Sequence, residues 1–308
     1  MLRTNVLRAL FLGASRNAAL RRFMAAQGLR LGARRFVAGE TLDDFVPIVR
    51  ALNAAGFMVA SAILGEEVAD KRKTREVVAD YRSLLTRLHD ENLRANVALK
   101  LTHLGLSIDE ALAEANLREL VQHAGGLGNF VRIDMEESRY VDATLRIYRA
   151  MRAGGYTNVG VVLQAYLYRT PVDLAALAPL EANIRLVKGA YLEPASIAYP
   201  QKADVDVAYK KLIAQALAGP GYTAIATHDE QALQHAIAVA REAGIGRDRF
   251  EFQMLYGVRP GLQRQIVAQG YPMRIATPYG REWYPYFMRR LAERPANAAF
   301  ILGSLLRG

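Results

Sequence analysis

Residues 184–191, IRLVKGAY, have the composition of a buried strand, yet Arg185 and Lys188 are set into it. A buried charge without a partner is costly, because the protein interior solvates it far less well than water does. Two cations in such a segment are therefore expected to have a counter-charge or a ligand. The rest of the sequence has to supply it.

Seven further short runs of apolar and β-branched residues alternate with longer helical patterns along the chain. The helical periodicity is clear in residues 66–92 and in residues 230–245, where a glycine suits the helix C-terminus. The seven runs are residues 57–63, 96–101, 129–135, 158–165, 222–227, 250–255 and 272–277.

Eight strand–helix units in succession predict a (β/α)8 barrel of the TIM type. A doubly wound open sheet is the alternative, because it is built from the same units. We expect residues 46–308 to form the barrel domain. Residues 1–45 are expected to form a basic helical segment packed on the outside of the barrel.

The composition limits the classes of protein. The chain of 308 residues contains no cysteine, which excludes disulfides, thiolate metal sites and cysteine nucleophiles. This fits a reducing compartment, and we expect a cytoplasmic protein. No apolar run approaches the length of about 18 residues that a membrane-spanning helix needs. We therefore expect no transmembrane segment.

The positive charge is concentrated at the N-terminus. Residues 1–39 contain eight arginines and no acidic residue, so the rest of the chain carries only about +2 of the net charge of +10. A solvated helix, an arginine-rich transit peptide and a basic segment lying on an anionic membrane or partner are all consistent with this pattern. We do not expect nucleic-acid binding, since no aromatic interleaving or DNA-binding motif accompanies the arginines. Peripheral contact with the inner membrane is the option we retain.

Polar residues recur at the carboxyl ends of the predicted strands. In a (β/α)8 barrel the chemistry is built at that end, from side chains that different strands contribute. Polar residues at one strand end are often only capping groups, but their recurrence on seven of eight strands indicates a site. The residues are Glu66, Lys100, Asp134, Gln164, Lys188, Thr227, His228 and Gln253.

Several common chemistries lack their motifs. The five histidines show no HxH or HExxH spacing, so a catalytic zinc is not expected. The sequence also contains no GxSxG elbow and no GxGxxG loop after a strand. What remains is a cation-rich cavity with Asp134 as the local counter-charge, and arginine forks bind carboxylates and phosphates well. The cations are Lys100, Arg185, Lys188, Arg289 and Arg290.

The residues alone leave two other functions open. Lys100 or Lys188 could form a Schiff base in a lyase or aldolase on the same fold. A basic barrel without catalysis, which binds a membrane or a nucleic acid, is the third option. It leaves the polar strand ends unexplained.

Seven motifs, one on almost every strand and in the same order, resemble the proline dehydrogenase family. They are VALKLTHLG, VRIDMEES, VVLQAY, IRLVKGAY, ATHDE, FEFQMLYG and YPYFMRRLAE. The resemblance covers residue 36 to the C-terminus and is closest to the short monofunctional bacterial type. It implies a distorted (β/α)8 barrel and FAD-dependent oxidation of L-proline to Δ¹-pyrroline-5-carboxylate in proline degradation. It also implies that the electrons pass to a membrane quinone.

Carried over by motif, the resemblance assigns the flavin site. Arg185 resembles the arginine near flavin N5, where its charge would favour the reduced flavin. Asp134 matches the acid treated as catalytic, and we expect it to act as the counter-ion of Arg185. Gly189 would lack a side chain so that the cofactor can approach. The other implied cofactor contacts are Met135, Gln164, Lys188, Ala190, Thr227, His228 and Gln253.

The resemblance also assigns the substrate site. Lys100, Arg289 and Arg290 resemble a clamp for the proline carboxylate, and Glu66 resembles an acid that pairs with Arg289 to close the site. Tyr191, Leu255 and Tyr286 correspond to walls around the proline ring. Ala276 departs from the tyrosine that relatives carry, which leaves a gap unless Tyr279 fills it. We therefore expect L-proline as substrate, with some tolerance of hydroxyproline.

Overall fold

The computed structural model describes residues 35–65 and 67–284. Eight parallel strands form a closed barrel in which each strand pairs with the next in sequence. The strands are β1 (Met58–Ile63), β2 (Ala95–Lys100), β3 (Val131–Asp134), β4 (Val159–Gln164), β5 (Ile184–Val187), β6 (Thr223–Ala226), β7 (Phe250–Leu255) and β8 (Met273–Tyr279).

Helices alternate with the strands. They are α1 (Leu42–Ala54), α2 (Lys71–Asp90), α3 (Glu110–Gly126), α4 (Val141–Ala153), α5 (Thr170–Leu177), α6 (Lys202–Ala218), α7 (Glu230–Glu242) and α8 (Pro260–Ala268). Short 3₁₀ turns lie at Ser138–Tyr140, Ala178–Leu180 and Arg247–Arg249. Strand β1 pairs with β8 along Met58–Ile63, which closes the ring. The predicted (β/α)8 barrel is thus confirmed, and the open-sheet alternative is wrong because an open sheet would leave β1 and β8 apart.

The apolar core lies between the strands and the surrounding helices. Successive residues of a strand point to opposite faces, so one set faces the helices and the other the barrel interior. Val97 of β2 and Val131 of β3 belong to the buried core that also contains Leu88 of α2 and Leu120 of α3. Burying each such leucine stabilises the fold by about 2 kcal/mol. This layer fixes the direction of the inward-facing residues.

The starts of several helices are fixed by side chains that accept a backbone N–H, which satisfies a donor that the helix itself leaves unpaired. Thr41 and Asp44 form a reciprocal capping box at α1. Asp109 accepts from Leu112 at α3, and Asp229 accepts from Gln231 at α7. Because α7 begins only four residues after β6 ends, its cap lies close to the carboxyl end of that strand.

The segment before α1 is joined to the end of β8. Ala38 donates its N–H to Pro278 O at 2.8 Å, and Gly280 donates to Gly39 O at 3.0 Å. Helix α1 spans the boundary that we placed after residue 45. The basic helical segment expected before it falls mostly on residues 1–34, which lie outside the described residues. In the part of the chain described, none of the helices has the length and hydropathy needed to cross a bilayer.

Candidate active site

The counter-charge of Arg185 lies on β3, two strands away from β5 in the barrel. Its guanidinium Nη2 donates to Asp134 Oδ1 at the end of β3, and Nη1 donates to Gln253 Oε1 of β7 at 3.3 Å. The Arg185 residue is 8% exposed, so this pairing takes place inside the barrel mouth. The structure therefore supplies the partner that a cation in a buried strand requires, and it is the acid expected from the sequence.

The surroundings of Arg185 lower the pKa of its guanidinium. Burial lowers the pKa of the guanidinium most, the nearby positive charge of Arg132 lowers it next, and Arg274 adds to this. The negative charge of Glu251 opposes the shift, and the resulting pKa is about 9. Arg185 is therefore protonated at neutral pH, as an electrostatic role requires.

Lys100 is the last residue of β2 and lies at the same carboxyl end of the barrel as Asp134. Its Cα is the register partner of Asp134 Cα, so Lys100 and the Asp134–Arg185 pair lie at neighbouring strand ends. Lys100 is half-buried. Four of the predicted clamp, gate and wall residues lie outside the described residues and stay predictions. They are Glu66, Tyr286, Arg289 and Arg290.

Lys188 has two carboxylate partners, Asp206 and Asp229, that were not predicted from the sequence. Its Nζ donates to Asp206 Oδ1 of α6 at 2.5 Å and to Asp229 Oδ2, the cap of α7, at 2.7 Å. The Tyr209 ring centroid lies 5.8 Å away. The lysine therefore ties the end of β5 to two helices. An ammonium held by two carboxylates is a poor nucleophile, which argues against a Schiff base at this position.

Gly189 is required by the packing of the protein itself, because the ring of Tyr166 occupies the place of a side chain. Its φ is +106°, and a Cβ placed there would lie 2.2 Å from Cδ1 of the Tyr166 ring. Any side chain would therefore collide with Tyr166 and strain the backbone. Beyond this glycine the chain turns outward, so that Ala190 is exposed and Tyr191 is half-buried.

The ends of β6 and β7 are joined by His228. Its Nε2 accepts the N–H of Leu255 at 2.9 Å, so this nitrogen carries no proton in the structure. Thr227 Oγ1 accepts the N–H of Asp229 at 3.1 Å, and Thr227 donates its own N–H to Gln253 O. These hydrogen bonds link Thr227 and His228 to Gln253 and Leu255 across the carboxyl ends of β6 and β7.

Two buried polar atoms of the site have no hydrogen-bond partner within the part of the chain that the structure describes. They are Oε1 of Gln164 at the end of β4 and Nε of Arg185. Their strands are neighbours in the barrel, with Gln164 Cα opposite Val187 Cα. Buried polar groups are almost always paired in native proteins, so an acceptor and a donor left open together suit a polar ligand. The edge of a flavin ring offers groups of both kinds. Met135, which follows Asp134 in the sequence, is also buried.

The predicted gap at Ala276 is not filled by Tyr279. Ala276 lies on β8 between Ala60 of β1 and Leu255 of β7 in the register of the sheet. Tyr279 is three residues further on, hence on the opposite face of the strand. Its ring stacks on Phe45 of α1 with centroids 4.3 Å apart. The suggestion that Tyr279 compensates for Ala276 is therefore wrong.

His103 was not selected from the sequence, yet it lies close to Lys100. Burial, and then the positive charge of Lys100, lower the pKa of the imidazole to about 4. A Cβ on Gly65 would lie 2.5 Å from its Nε2, so the ring packs tightly under the chain that leads to residue 66. Its signal in the sequence was its place three residues after Lys100, in the turn that follows β2.

The barrel interior below Arg185 also holds charges that the sequence reasoning missed. Glu251 of β7 is paired with Arg274 of β8, whose Nη1 also donates to Asn96 of β2 at 3.1 Å. Arg132 of β3 is buried and donates to Asn183 O at 2.6 Å. These residues lie on strands far apart in sequence, and only the closed barrel brings them together.

A closed parallel barrel that gathers a buried Arg–Asp pair, a lysine and open polar atoms at its carboxyl end is a (β/α)8-barrel enzyme with a site for a polar, anionic ligand. Residues 46–302 match the family model described as proline dehydrogenase. The chain belongs to the proline dehydrogenase family and is an oxidoreductase of the flavoprotein type that this family comprises.

Curated relatives and a solved structure agree with this assignment. "Proline dehydrogenase 1" of Bacillus subtilis (strain 168) is 41% identical over 302 residues, which cover 98% of this chain and 100% of the relative. "Proline dehydrogenase" of Deinococcus radiodurans is 44% identical over 280 residues, 90% of each chain. Proline utilization A from Bdellovibrio bacteriovorus, solved after inactivation by N-propargylglycine, matches with a TM-score of 0.83 and 25% identity. That match covers 98% of this chain and 38% of the other. The first two relatives are thus matched over nearly their whole length.

Proposed function

We propose that this protein oxidises L-proline to Δ¹-pyrroline-5-carboxylate with FAD as its cofactor. The observation that carries the proposal is the Arg185–Asp134 pair at the barrel mouth, beside the open polar atoms of Gln164 and Arg185. The family of the chain supports the reaction, and the printed names of its relatives support the substrate.

The flavin-side residues would hold the cofactor and tune it. FAD, when bound, supplies the acceptor at N5 for the hydride that leaves C5 of proline. Arg185 would place a fixed positive charge beside that acceptor, which favours the reduced state. Asp134 would hold the guanidinium in position as its counter-ion. Met135, Gln164, Lys188, Gly189, Ala190, Thr227, His228 and Gln253 are the residues that we assign to cofactor binding.

The substrate-side residues would orient the proline ring. Lys100, with Arg289 and Arg290, would bind the carboxylate and so fix C5 for transfer. Tyr191, Leu255 and Tyr286 would enclose the ring, and Glu66 would close the site by pairing with Arg289. The small side chains of Ala276 and its register partner Ala60 leave room beside Leu255. We expect this room to admit hydroxyproline.

The electrons would leave through a quinone dissolved in the membrane. The arginines of residues 1–39 would then have a purpose, since a basic segment binds an anionic bilayer peripherally. A cytoplasmic enzyme that touches the inner membrane follows from this reading.

The test is an absorbance spectrum of the purified protein, recorded before and after anaerobic addition of L-proline. Flavin bands at ~450 nm that bleach with proline support the proposal. Bands that bleach only with another amine would keep the flavoenzyme and change the substrate, with Ala276 as the residue to vary. Absence of flavin after addition of FAD would overturn the proposal, and borohydride trapping at Lys100 would then test a Schiff-base enzyme.

A further inference from the structure

Arg185 is connected to a carboxylate deeper in the barrel through a single side chain. The Gln253 amide accepts from Arg185 Nη1 with its Oε1 at 3.3 Å. With its Nε2 the same amide donates to Glu251 Oε1 at 2.5 Å. All three side chains are buried, so no bulk water competes for these bonds.

Glu251 is held as a carboxylate. Arg274 donates from Nε to Oε1 at 2.8 Å and from Nη2 to Oε2 at 3.0 Å, and the Tyr222 hydroxyl donates to Oε2 at 3.2 Å. Burial acts to raise the pKa of Glu251. The charge and hydrogen bonds of Arg274, with the hydrogen bond of Gln253 and the charge of Arg132, outweigh it and leave the pKa below its usual value. At neutral pH Glu251 is therefore ionised and can only accept hydrogen bonds.

An acceptor-only neighbour fixes the orientation of the Gln253 amide. The NH₂ group must turn to Glu251, and the amide oxygen must then face Arg185. The reverse orientation would set two oxygens together at Glu251 and two sets of N–H donors together at Arg185. The charge on Glu251 thus determines which atom Arg185 meets.

We propose that Glu251 is a positioning residue for proline oxidation, which acts through Gln253 to hold the Arg185 guanidinium in place. This rests on the proposed function, in which Arg185 lies beside the flavin. The need for such a hold is visible in the structure. Arg132 and Arg274 repel Arg185, and Arg185 Nε has no partner among the described residues. Among the residues that the structure describes, Asp134 and Gln253 are the hydrogen-bond partners that fix the guanidinium.

The first test is the Glu251→Gln variant, which keeps the size of the side chain and removes its charge. If the Glu251–Gln253–Arg185 connection (the relay) holds Arg185, the variant replaces the charged acceptor of the Gln253 amide by a neutral amide that no longer fixes its orientation. Turnover should then fall by roughly tenfold at little change in KM for proline. The flavin midpoint potential, from a redox-dye titration, should fall as well. A mere through-space effect has the opposite sign, since loss of a negative charge would raise the potential. A raised or unchanged potential would overturn the proposal.

A second variant tests whether Gln253 is the connection. Gln253→Met breaks the relay but leaves the Glu251–Arg274 pair in place, so it should lower the potential in the same direction. The double variant should then be no worse than Gln253→Met alone. Additive effects of the two changes would show that Glu251 acts by another route.

Asp173→Asn is the matched control for the loss of a buried carboxylate. Asp173 lies on α5 and pairs with Arg169 at 2.7 Å on the outside of the barrel. This variant should keep the wild-type potential and turnover. If it shifts the potential as Glu251→Gln does, the effect reports general destabilisation and the proposal fails.

The relay can also be measured without the flavin, which separates it from the proposed function. NMR signals of the Arg185 Nη–H groups, assigned with Arg185→Lys, should show slow rotation in the cofactor-free wild type and in Asp173→Asn. In Glu251→Gln the rotation should be faster. Equal rotation in all three proteins would overturn the relay, whether or not the protein proves to bind FAD.

Discussion

Gly189 couples the backbone of the β5 end to a neighbouring aromatic ring. Alanine at this position would have its Cβ 2.2 Å from the Tyr166 ring and would keep a φ of +106°. We expect Gly189→Ala to destabilise the fold by about 2 kcal/mol or more, from the clash and the backbone strain together. Urea unfolding would measure the loss.

Gly128 provides the matched control, because it also has a positive φ, +65°, but no atom within 4 Å of the added Cβ. Gly128→Ala should cost only the backbone term of about 1 kcal/mol. Equal losses in the two variants would mean that Tyr166 moves aside at no cost. In that case the room at Gly189 would not be set by Tyr166.

His103 predicts a pH dependence of stability. Its pKa is lowered by burial, and then by Lys100, from 6.5 to about 4 in the folded chain. The unfolded chain therefore takes up a proton as the pH falls below 6.5, while the folded chain does not, and the folded state loses stability down to pH 4. The loss amounts to about 3 kcal/mol across this window.

His103→Gln removes the titrating group and should flatten this part of the stability curve. Urea unfolding at pH 7.5 and at pH 4.5 would show it as a smaller difference between the two pH values than in the wild type. At pH 7.5 the imidazole is neutral in both states, so the comparison there isolates the packing cost of the substitution. An unchanged pH dependence in the variant would assign the acid sensitivity to other groups.

Asp229, the N-cap of helix α7, makes two interactions. Asp229 accepts the N–H of Gln231 at 3.0 Å as a cap and also holds Lys188 Nζ at 2.7 Å. Asp109 caps α3 by accepting the N–H of Leu112 at 2.7 Å. Loss of such a cap alone costs about 1 kcal/mol.

Asp109→Ala should therefore lose about 1 kcal/mol of stability and retain wild-type affinity for FAD. Asp229→Ala should lose more, and it should also bind FAD more weakly, because Lys188 and the segment at Thr227 and His228 lose their anchor. Thermal unfolding and fluorescence titration with FAD would measure the two quantities. If both variants bind FAD equally well, α7 would contribute only to stability.

The strands were predictable from the sequence because each is a short apolar run bounded by helical patterns. Their ends were less so, since an end is set by the neighbouring strand. The predicted run of residues 184–190 stops as a strand at Val187, where the chain turns at Gly189. Strand β8 instead continues to Tyr279, because β1 pairs with it as far as Ile63. Pairing partners that lie 200 residues away in sequence leave no local signal.

The candidate site was also only partly predictable from the sequence. The positions of Lys100, Asp134 and Gln164 at the carboxyl ends of the predicted strands predicted that they lie at one end of the barrel. The contacts of Lys188 with Asp206 and of Gln253 with Glu251 were not predicted. Each depends on side-chain directions that follow from barrel closure and helix placement, and acids in helices or strand interiors are common in any sequence.

The charges of the molecule fall into two groups, one inside the barrel and one in the N-terminal sequence. The barrel interior holds buried arginines balanced by Glu251 and Asp134, while most of the net charge of +10 belongs to the arginines of residues 1–39. The interior charges are fixed by hydrogen bonds and ion pairs. Residues 1–39 contain no acidic residue, and this composition favours contact with an external anionic surface.

The terminal arginines should therefore govern binding to membranes. We expect the full chain to sediment with vesicles that contain anionic lipid and to be released as the salt concentration rises, because each basic residue near the surface contributes about 1 kcal/mol. A variant with glutamine at the eight arginines of residues 1–39 keeps the length of the chain and should lose this binding while retaining proline-dependent flavin reduction. Neutral vesicles serve as the control, since they should retain neither protein. Equal sedimentation of the variant and the wild type with anionic vesicles would show that another surface meets the membrane. The quinone that we propose as electron acceptor would then have to reach the barrel from that side.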